Sequence, residues 1–552
     1  MIRDYSARNV AWLLLCWTSA ALAEDSPAGN STSPQAPPAE EASPSLEPSS
    51  RSPDEPAFTI HGTYFIHGSY TTDFPLTEDS AVFRGRTWPD GVHDGLDVLL
   101  DHRLRVSAEG RLSSRLKVVG MADLAGFLGG DTTDIGRDYL LVPRDRTRFY
   151  DRSTIRELYL EWTSAAGVLR IGQMASQFGL GLVANSGADP DGAFHDPYLG
   201  DLVLRGLFAT RPLELFSSSH VARHLYLAVG GDLVYRDDQA SLWKGDLAAE
   251  GVASVFFDGP AVRGGDDLFA GVYVAYRHQR WDNRDRLRAL VLDAAFRHRI
   301  TLDRRGTWFG LHAEGAFVLG RVQFEDRGGP PRAPDGADLR EWGGVLRAEL
   351  DVPDAGLRPG LEAGVASGDA DPTDAVARAF QFDPSYQVGM ILFQEVLGRI
   401  SALAPERVSD PDLLYKAPSG YKLGATNGSI TNGVYLYPKI RYWPLPPLEL
   451  RVAFLWARAL APVAGPYNTA GNGGYPLGYR VDPRQWVGAW NEKDLGMEVD
   501  GAVSYTFGLR GSEQIRLGLQ GGWCRPGAAF RDAAGRRLPS VYKTRVLVDI
   551  SW

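Results

Sequence analysis

The chain has 552 residues, of which 44% are hydrophobic, 23% charged and 11% aromatic, with 62 Gly, 35 Pro and two Cys. Two cysteines exclude a disulfide scaffold. The 58 basic and 68 acidic residues leave a formal charge of -10, which argues against a general nucleic-acid binder, and no apolar run reaches the roughly 18 to 20 residues that a transmembrane helix needs.

In chain order, the first 23 residues read as a secretory signal: Arg3 and Arg8 precede an apolar stretch over residues 10–17, which leads to the A-x-A triplet Ala21, Leu22, Ala23. Leu15 before Cys16 is not small, so a lipid-anchored cysteine does not fit. Cleavage would leave Cys524 as the mature thiol, a small apolar strand residue. Residues 24–57 hold eight Pro, eight Ser, seven acids and one Arg. Such a composition cannot bury enough apolar surface to offset its ordering entropy and predicts a disordered acidic tail.

From Phe58 to Trp552 the dominant pattern has period two over about ten residues, broken by clusters of Gly, Asp, Pro and Arg. Leu104, Val106, Ala108 and Gly110 share one face, while Arg103, Arg105, Ser107, Glu109 and Arg111 share the other. Pro447 to Arg458 and Glu513 to Trp523 repeat it. Strands of this length suit a bilayer, whereas soluble sheets average about 5 to 6 residues, and lipid leaves no water to satisfy an open sheet edge. The pattern predicts an all-β fold: a single transmembrane antiparallel β-barrel of 16–18 strands with long loops. Seventeen candidate strands begin near Phe58, Asp101, Ser113, Thr154, Gly167, Gly200, Arg223, Asp267, Arg286, Gly306, Leu339, Leu357, Gly433, Pro447, Lys493, Glu513 and Ser540. Trp162, Tyr276, Trp456, Tyr505 and Trp523 fit interfacial aromatic girdles, and the last strand ends on Trp552 with Tyr542, Val546, Val548 and Ile550 on its apolar face.

The polar face then lines a lumen. It carries Arg103, Arg105, Arg115, Arg170, Arg205, Arg347, Arg358, Arg441, Arg451 and Arg516 as candidates for a solute path, interleaved with Glu109, Asp123, Glu161, Glu314, Glu362, Glu449, Glu498 and Asp500. Both signs are abundant. Arginines and carboxylates on neighbouring strands pair and stiffen a wall. Arginines left open at a constriction would instead attract anions.

Residues 364–389, with Ala366, Ser367, Gly368, Asp369, Pro372, Asp374 and Phe380 in order, resemble a signature of the alginate-export type of outer-membrane barrel. Residues 494–507 and 522–530 resemble its Leu-Gly-x-Glu-x-Asp strand and Pro-Gly-x-x-Phe turn. The resemblance implies an 18-stranded pore for an acidic polysaccharide, with loops folded over both mouths. Ala375, Ala379 and Phe382-Asp383-Pro384 depart from that pattern. Asp369, Asp371 and Asp374 form an oxygen-rich turn, a Ca²⁺ candidate by donor type, but the Gly and bidentate Glu of an EF-hand loop are missing and no metal is assigned. A long non-alternating connection over residues 375–432 contains the apolar stretch 390–403 and is expected to fold into or over the mouth, with a short helix.

The sequence therefore points to an outer-membrane channel, reached through the secretory signal, for small polar or anionic solutes or an acidic polysaccharide. Its partners are the bilayer and the barrel-assembly machinery; it is expected to be a monomer that binds no nucleic acid and no cofactor. An adhesive or structural barrel without transport is the alternative. An outer-membrane hydrolase ranks lower. His61, His67 and Ser69 share a strand face, but no G-x-S-x-G, H-E-x-x-H or G-x-x-x-x-G-K-[ST] occurs, so no enzyme is predicted.

Overall fold

The computed structural model describes residues 58–74, 82–83, 86–87, 97–131, 154–188, 194, 200–261, 266–282, 284–325, 336–370, 375–401, 426, 428–463, 492–509, 511–531 and 537–552. The expected signal and acidic tail, Asp371 and Asp374 lie outside these residues. Eighteen long strands follow one another: β1 (Phe58–Thr71), β2 (Asp97–Ser113), β3 (Leu116–Asp131), β4 (Thr154–Ser164), β5 (Gly167–Ala175), β6 (Leu202–Thr210), β7 (Leu225–Arg236), β8 (Leu247–Pro260), β9 (Asp267–Arg280), β10 (Arg286–Thr301), β11 (Trp308–Gln323), β12 (Ala337–Asp351), β13 (Leu357–Ala366), β14 (Gly433–Leu445), β15 (Leu448–Ala459), β16 (Asp494–Gly508), β17 (Gln514–Pro526) and β18 (Val541–Ser551). Each pairs antiparallel with the next, and β18 pairs back onto β1 through Thr63 opposite Ser551 and Thr71 opposite Lys543. The sheet is a closed barrel without free edges.

Seventeen of these strands lie where the alternation places them. The missing one is β8, whose outward positions include Ala249, Gly251 and Ala253, so its apolar face carries too little bulk to register as alternation. Closure also uses the last residue: the Trp552 ring lies over Gly62, where any Cβ would overlap it, and the two backbones exchange hydrogen bonds of 3.1 and 3.0 Å.

Two faces follow from the period-two geometry. Outward, a belt of apolar side chains stands exposed around the barrel, including Leu160, Ile171, Val272, Phe317, Leu361, Val452, Leu519 and Val546, with Trp162, Tyr276 and Tyr505 among them. Inward, the main buried core lies inside the barrel. Segments after β5 and β13 turn into the lumen, and Leu182, Phe380, Phe382, Met390, Ile391, Phe393 and Val396 pack on inward residues such as Ala316, Val345, Tyr435, Leu455 and Cys524. The described part of the 375–432 connection, residues 375–401, 426 and 428–432, thus folds into the barrel, and its apolar stretch forms a π-helix, Leu392–Leu397, that continues as helix to residue 401.

Candidate functional site in the barrel lumen

Among the described residues two loops reach into the lumen, and the same device holds each. After β5, Gly179 takes a left-handed φ of 56°, and the three following amides, of Leu180, Gly181 and Leu182, all donate to the Glu314 carboxylate on β11, at 3.1 Å for Gly181 and 2.8 Å for Leu182. In the second loop Gly389 takes a φ of 72°, and the amides of Met390, Ile391 and Leu392 donate to Glu498 on β16 at 2.5, 2.9 and 2.7 Å. Successive N–H groups converging in this way form a nest for an anion, here filled by the barrel's own carboxylate. A Cβ at either glycine would overlap that carboxylate. Glycine is therefore required on two counts, conformation and contact. The two loops also meet, since Asp383 N–H donates to the Leu182 carbonyl at 2.8 Å.

The inward helix adds a buried ion triad. Glu395 pairs with Arg399 one turn on and with Lys543 of β18 at 2.5 Å, all three being nearly inaccessible. A further carboxyl group gathers where three loops converge. Asp201 and Asp383 are buried and Asp238 half-buried. Burial pushes all three up, Asp238 to about 6, reinforced by Asp237 beside Asp238, by Asp383 beside Asp201, and by Asp238 beside Asp383.

The loops cover the inner faces of β8 to β18. Among the described residues, what they leave uncovered is most of the wall of β2 to β5. Over residues 102–124 and 154–175 of this wall six cations, Arg103, Arg105, Arg111, Lys117, Arg156 and Arg170, stand with four carboxylates, Glu109, Asp123, Glu157 and Glu161; Arg156 is buried and donates to the Ser186 carbonyl of the first loop. Arg105 forks onto Asp123 at 2.7 and 2.9 Å, with Arg103 at 3.7 Å and Arg156 at 3.8 Å from the same carboxylate. Arg170 donates to Glu161 at 2.7 Å, and Lys117 bridges Glu109 at 3.3 Å and Glu161 at 3.6 Å. Asp123 is fully buried, while the Arg103, Arg105, Lys117 and Arg111 side chains keep 12%, 20%, 27% and 35% of their surface. Glu109 at 34% and Glu161 at 14% are open as well, so the positive excess of this wall comes from the number of its cations and from the burial of Asp123.

The other sequence candidates are inward but engaged. Arg205 forks onto Asp232 at 2.7 and 2.6 Å, Arg347 donates to Glu362 at 3.0 Å, and Arg441 and Arg451 share Glu449 at 2.8 and 2.9 Å. Arg516 stands opposite Asp549 in the β17/β18 register. Arg115 is a correction: it occupies the two-residue turn between β2 and β3 and is exposed outside the lumen, because alternation was carried one step past the strand end. His67 lies 3.2 Å from Asp549. Ser69 is two residues along the strand, about 6.6 Å of rise away, and no hydrogen bond joins it to His67.

A scan against protein families finds no matching model, and no curated protein matches. Among solved structures, the fold is similar to the outer membrane protein OprD from Pseudomonas aeruginosa, with a TM-score of 0.44 and 11% identity over 89% of this chain and 93% of that one. It is also similar to Acinetobacter baumannii OccAB1 (TM-score 0.47, 10% identity, 89% and 96% covered) and to Pseudomonas aeruginosa OpdK with vanillate (TM-score 0.43, 13% identity, 89% and 99% covered).

The residues singled out by the loop motif sit at the root of the second inward loop. Ser367 Oγ donates to the Arg378 carbonyl at 2.6 Å and accepts the amides of Trp342 at 3.0 Å and Phe380 at 3.3 Å. Gly368 passes so close to the Asn432 side chain that a Cβ would overlap it. Asp369 pairs with Arg378 at 3.6 Å. These groups pin the loop where it leaves β13, and among the described residues no cluster of three or more metal-ligating side chains forms there.

At the end of the barrel carrying the short turns, an alternating row crosses five strands. Arg299 lies 4.5 Å and Arg358 5.3 Å from the Trp308 ring, and Arg358 lies 5.3 Å and Arg441 5.0 Å from Trp443. Sequence reading missed this row because its members come from β10, β11, β13 and β14, more than a hundred residues apart at the extremes; the only signal was a Trp on the inward parity near a strand end.

Proposed function

We propose that the chain is an outer-membrane channel for small polar and anionic solutes, with its passage running along the β2 to β5 wall and narrowed from the opposite side by the two inward loops. The observation that carries this reading is the division of the lumen. Apolar loop residues fill one side, and over residues 102–124 and 154–175 the facing wall has six cations, with Arg156 buried among them, against four carboxylates. Partly exposed guanidinium groups on a narrowed wall stabilise a passing anion and repel a cation. The exposed apolar belt and the absence of sheet edges support a bilayer around the barrel. The bilayer and the assembly machinery are the proposed partners of a monomeric, non-enzymatic barrel.

A narrower reading, export of an acidic polysaccharide, follows from the resemblance of residues 364–389. It is favoured by the position of Ser367 and Asp369 at the root of the loop that sets the passage width. Liposome swelling with the refolded protein separates these. Uptake of small carboxylate solutes faster than of equally sized amines supports the channel. Permeation by uronic-acid oligomers as well supports export. Uptake indifferent to charge, or none, removes both.

A further inference from the structure

At the end of the barrel that carries the short turns, the connection between β6 and β7, residues 211–224, is the longest, and it folds outward. It holds a 3₁₀ turn, Pro212–Leu215, and a short helix, His220–His224, capped by Ser219, whose Oγ accepts the Ala222 amide at 3.3 Å. Its place on the wall is fixed by Gly259 of β8, where a Cβ would overlap the His224 ring. Gly259 shares the parity of Leu247 and Val255, which stand exposed on the outer face of β8. The Phe257 ring, on that same face, lies 5.9 Å from the rings of both His220 and His224, which are 4.8 Å apart. The helix therefore lies against the outside of the barrel.

Its polar groups are only half used. His220 Nε2 donates to the Pro260 carbonyl at 2.7 Å and His224 Nδ1 to the Asp258 carbonyl at 3.1 Å. A carbonyl only accepts, so these nitrogens carry the hydrogens, and the opposite ones, His220 Nδ1 and His224 Nε2, make no bond among the described residues. Taking up a proton turns each into a second donor, a change that an anion alongside favours. Arg223, between them in sequence, is exposed and pairs with no carboxylate among the described residues. Glu214, the one acid of the connection, is held by Arg211 at 2.8 Å, and the Asp258 carboxylate by Arg297 at 3.7 Å on the inner face. The same connection exposes Leu213 and Val221, and leaves 86% of Phe216 uncovered. Bulky apolar groups beside unpaired cations are the composition of a segment that lies in a membrane interface.

The depth agrees. At the far end of β7, Tyr235 keeps the outward parity of exposed Val229 and accepts a hydrogen bond from the indole of exposed Trp243. Leu225, where the helix joins β7, and Tyr235 are ten residues apart. That is about 34 Å along a strand and about 26 Å across a bilayer at a tilt near 40°, against an apolar band about 25 Å tall in such barrels. The connection thus stands one apolar band away from the opposite aromatic pair, level with lipid headgroups.

We propose that the β6–β7 connection is a phospholipid-binding foot on the outer wall. Phe216, Leu213 and Val221 enter the apolar edge of the leaflet, while Arg223, His220 and His224 hold the phosphate of one lipid headgroup. The site rests on the reading of a bilayer around the barrel, and the test separates the two. Spin labels are placed by Phe216→Cys or Phe317→Cys in a Cys524→Ala background, with the protein in vesicles of phosphatidylethanolamine and phosphatidylglycerol. Both labels should collide with oxygen more than with a water-soluble nickel chelate. A wet label at position 216 beside a lipid-exposed one at 317 overturns the foot and leaves the bilayer; wet labels at both positions remove both.

Native mass spectrometry of the detergent-solubilised protein then reads the headgroup. Arg223→Gln should retain dioleoyl phosphatidylglycerol roughly fivefold less than the wild type, the size of one cation at an anionic surface. Dioleoylglycerol, which has the same chains and no phosphate, should be retained equally by both, and Arg223→Lys should restore most of the difference. Equal retention of phosphatidylglycerol by wild type and Arg223→Gln overturns the phosphate site. Displacement of that lipid by millimolar inorganic phosphate would assign the cations to a soluble anion and overturn it as well.

Discussion

Glu498→Ala removes the group on which the second inward loop hangs. Three backbone N–H groups lose a charged acceptor, each worth roughly 1.5 to 3 kcal/mol. Asp500, on the same face of β16, recovers part of this, so the net loosening is about 3 to 5 kcal/mol, a size typical of breaking a buried charged contact. The loop is not expelled outright, because Met390, Ile391, Leu392, Phe393 and Val396 stay buried, each at 0% or 1% exposure, and each contributes about 1.5 to 3 kcal/mol. The barrel itself is untouched, so the change is a local opening rather than global unfolding. Cys524 reports it: this thiol is fully buried, opposite Glu498 in the β16/β17 register, in the cluster that includes Ile391. In the wild type a maleimide should reach it only through loop opening, and the loss of 3 to 5 kcal/mol speeds labelling by roughly two to four orders of magnitude at about 1.4 kcal/mol per tenfold. Labelling of Cys524 at the wild-type rate in Glu498→Ala would refute the view that the three-amide nest holds the loop.

Gly389→Ala should act on the same anchor from the other side, loosening the loop by about 1 to 3 kcal/mol, because alanine is strained at a φ of 72° and its methyl meets Glu498; amide exchange at residues 390–392 measures it. Trp308→Leu removes the ring between Arg299 and Arg358 and should lower barrel stability by about 1 to 2 kcal/mol, read from the denaturant midpoint. Asp238 has its folded value raised from 3.8 to about 6, so its contribution to loop packing is complete below the unfolded value and is lost as pH climbs toward about 6. Exchange of the loop carrying Asp238 should therefore quicken across that window in the wild type and stay level in Asp238→Asn.

Much of the barrel was legible because a strand with lipid on one side and polar contents on the other writes a strict period of two. Where one face loses bulk, as with Ala249, Gly251 and Ala253 of β8, the period fades and the strand was missed. Where a strand ends, parity has no meaning, and Arg115 was assigned to the lumen although it tops a turn. The apolar stretch after Met390 signalled that its loop would seek burial, but the manner of its anchoring was hidden. Gly179 and Gly389 look like ordinary loop glycines, and their carboxylate partners lie 135 and 109 positions away, since Gly179 faces Glu314 and Gly389 faces Glu498. Counting lumen charges gave no sign for the pore either, because pairing at Glu362 and Glu449 and the covering of one side by loops decide which cations a solute meets.

The reversal potential of the refolded channel in a planar bilayer under a salt gradient tests the central claim most directly. The account predicts preference for anions in the wild type, and loss of that preference in Arg103→Gln/Arg105→Gln, where the wall over residues 102–124 and 154–175 falls from six cations to four against four carboxylates. A cation-selective wild type, or a double variant with unchanged selectivity, would contradict it.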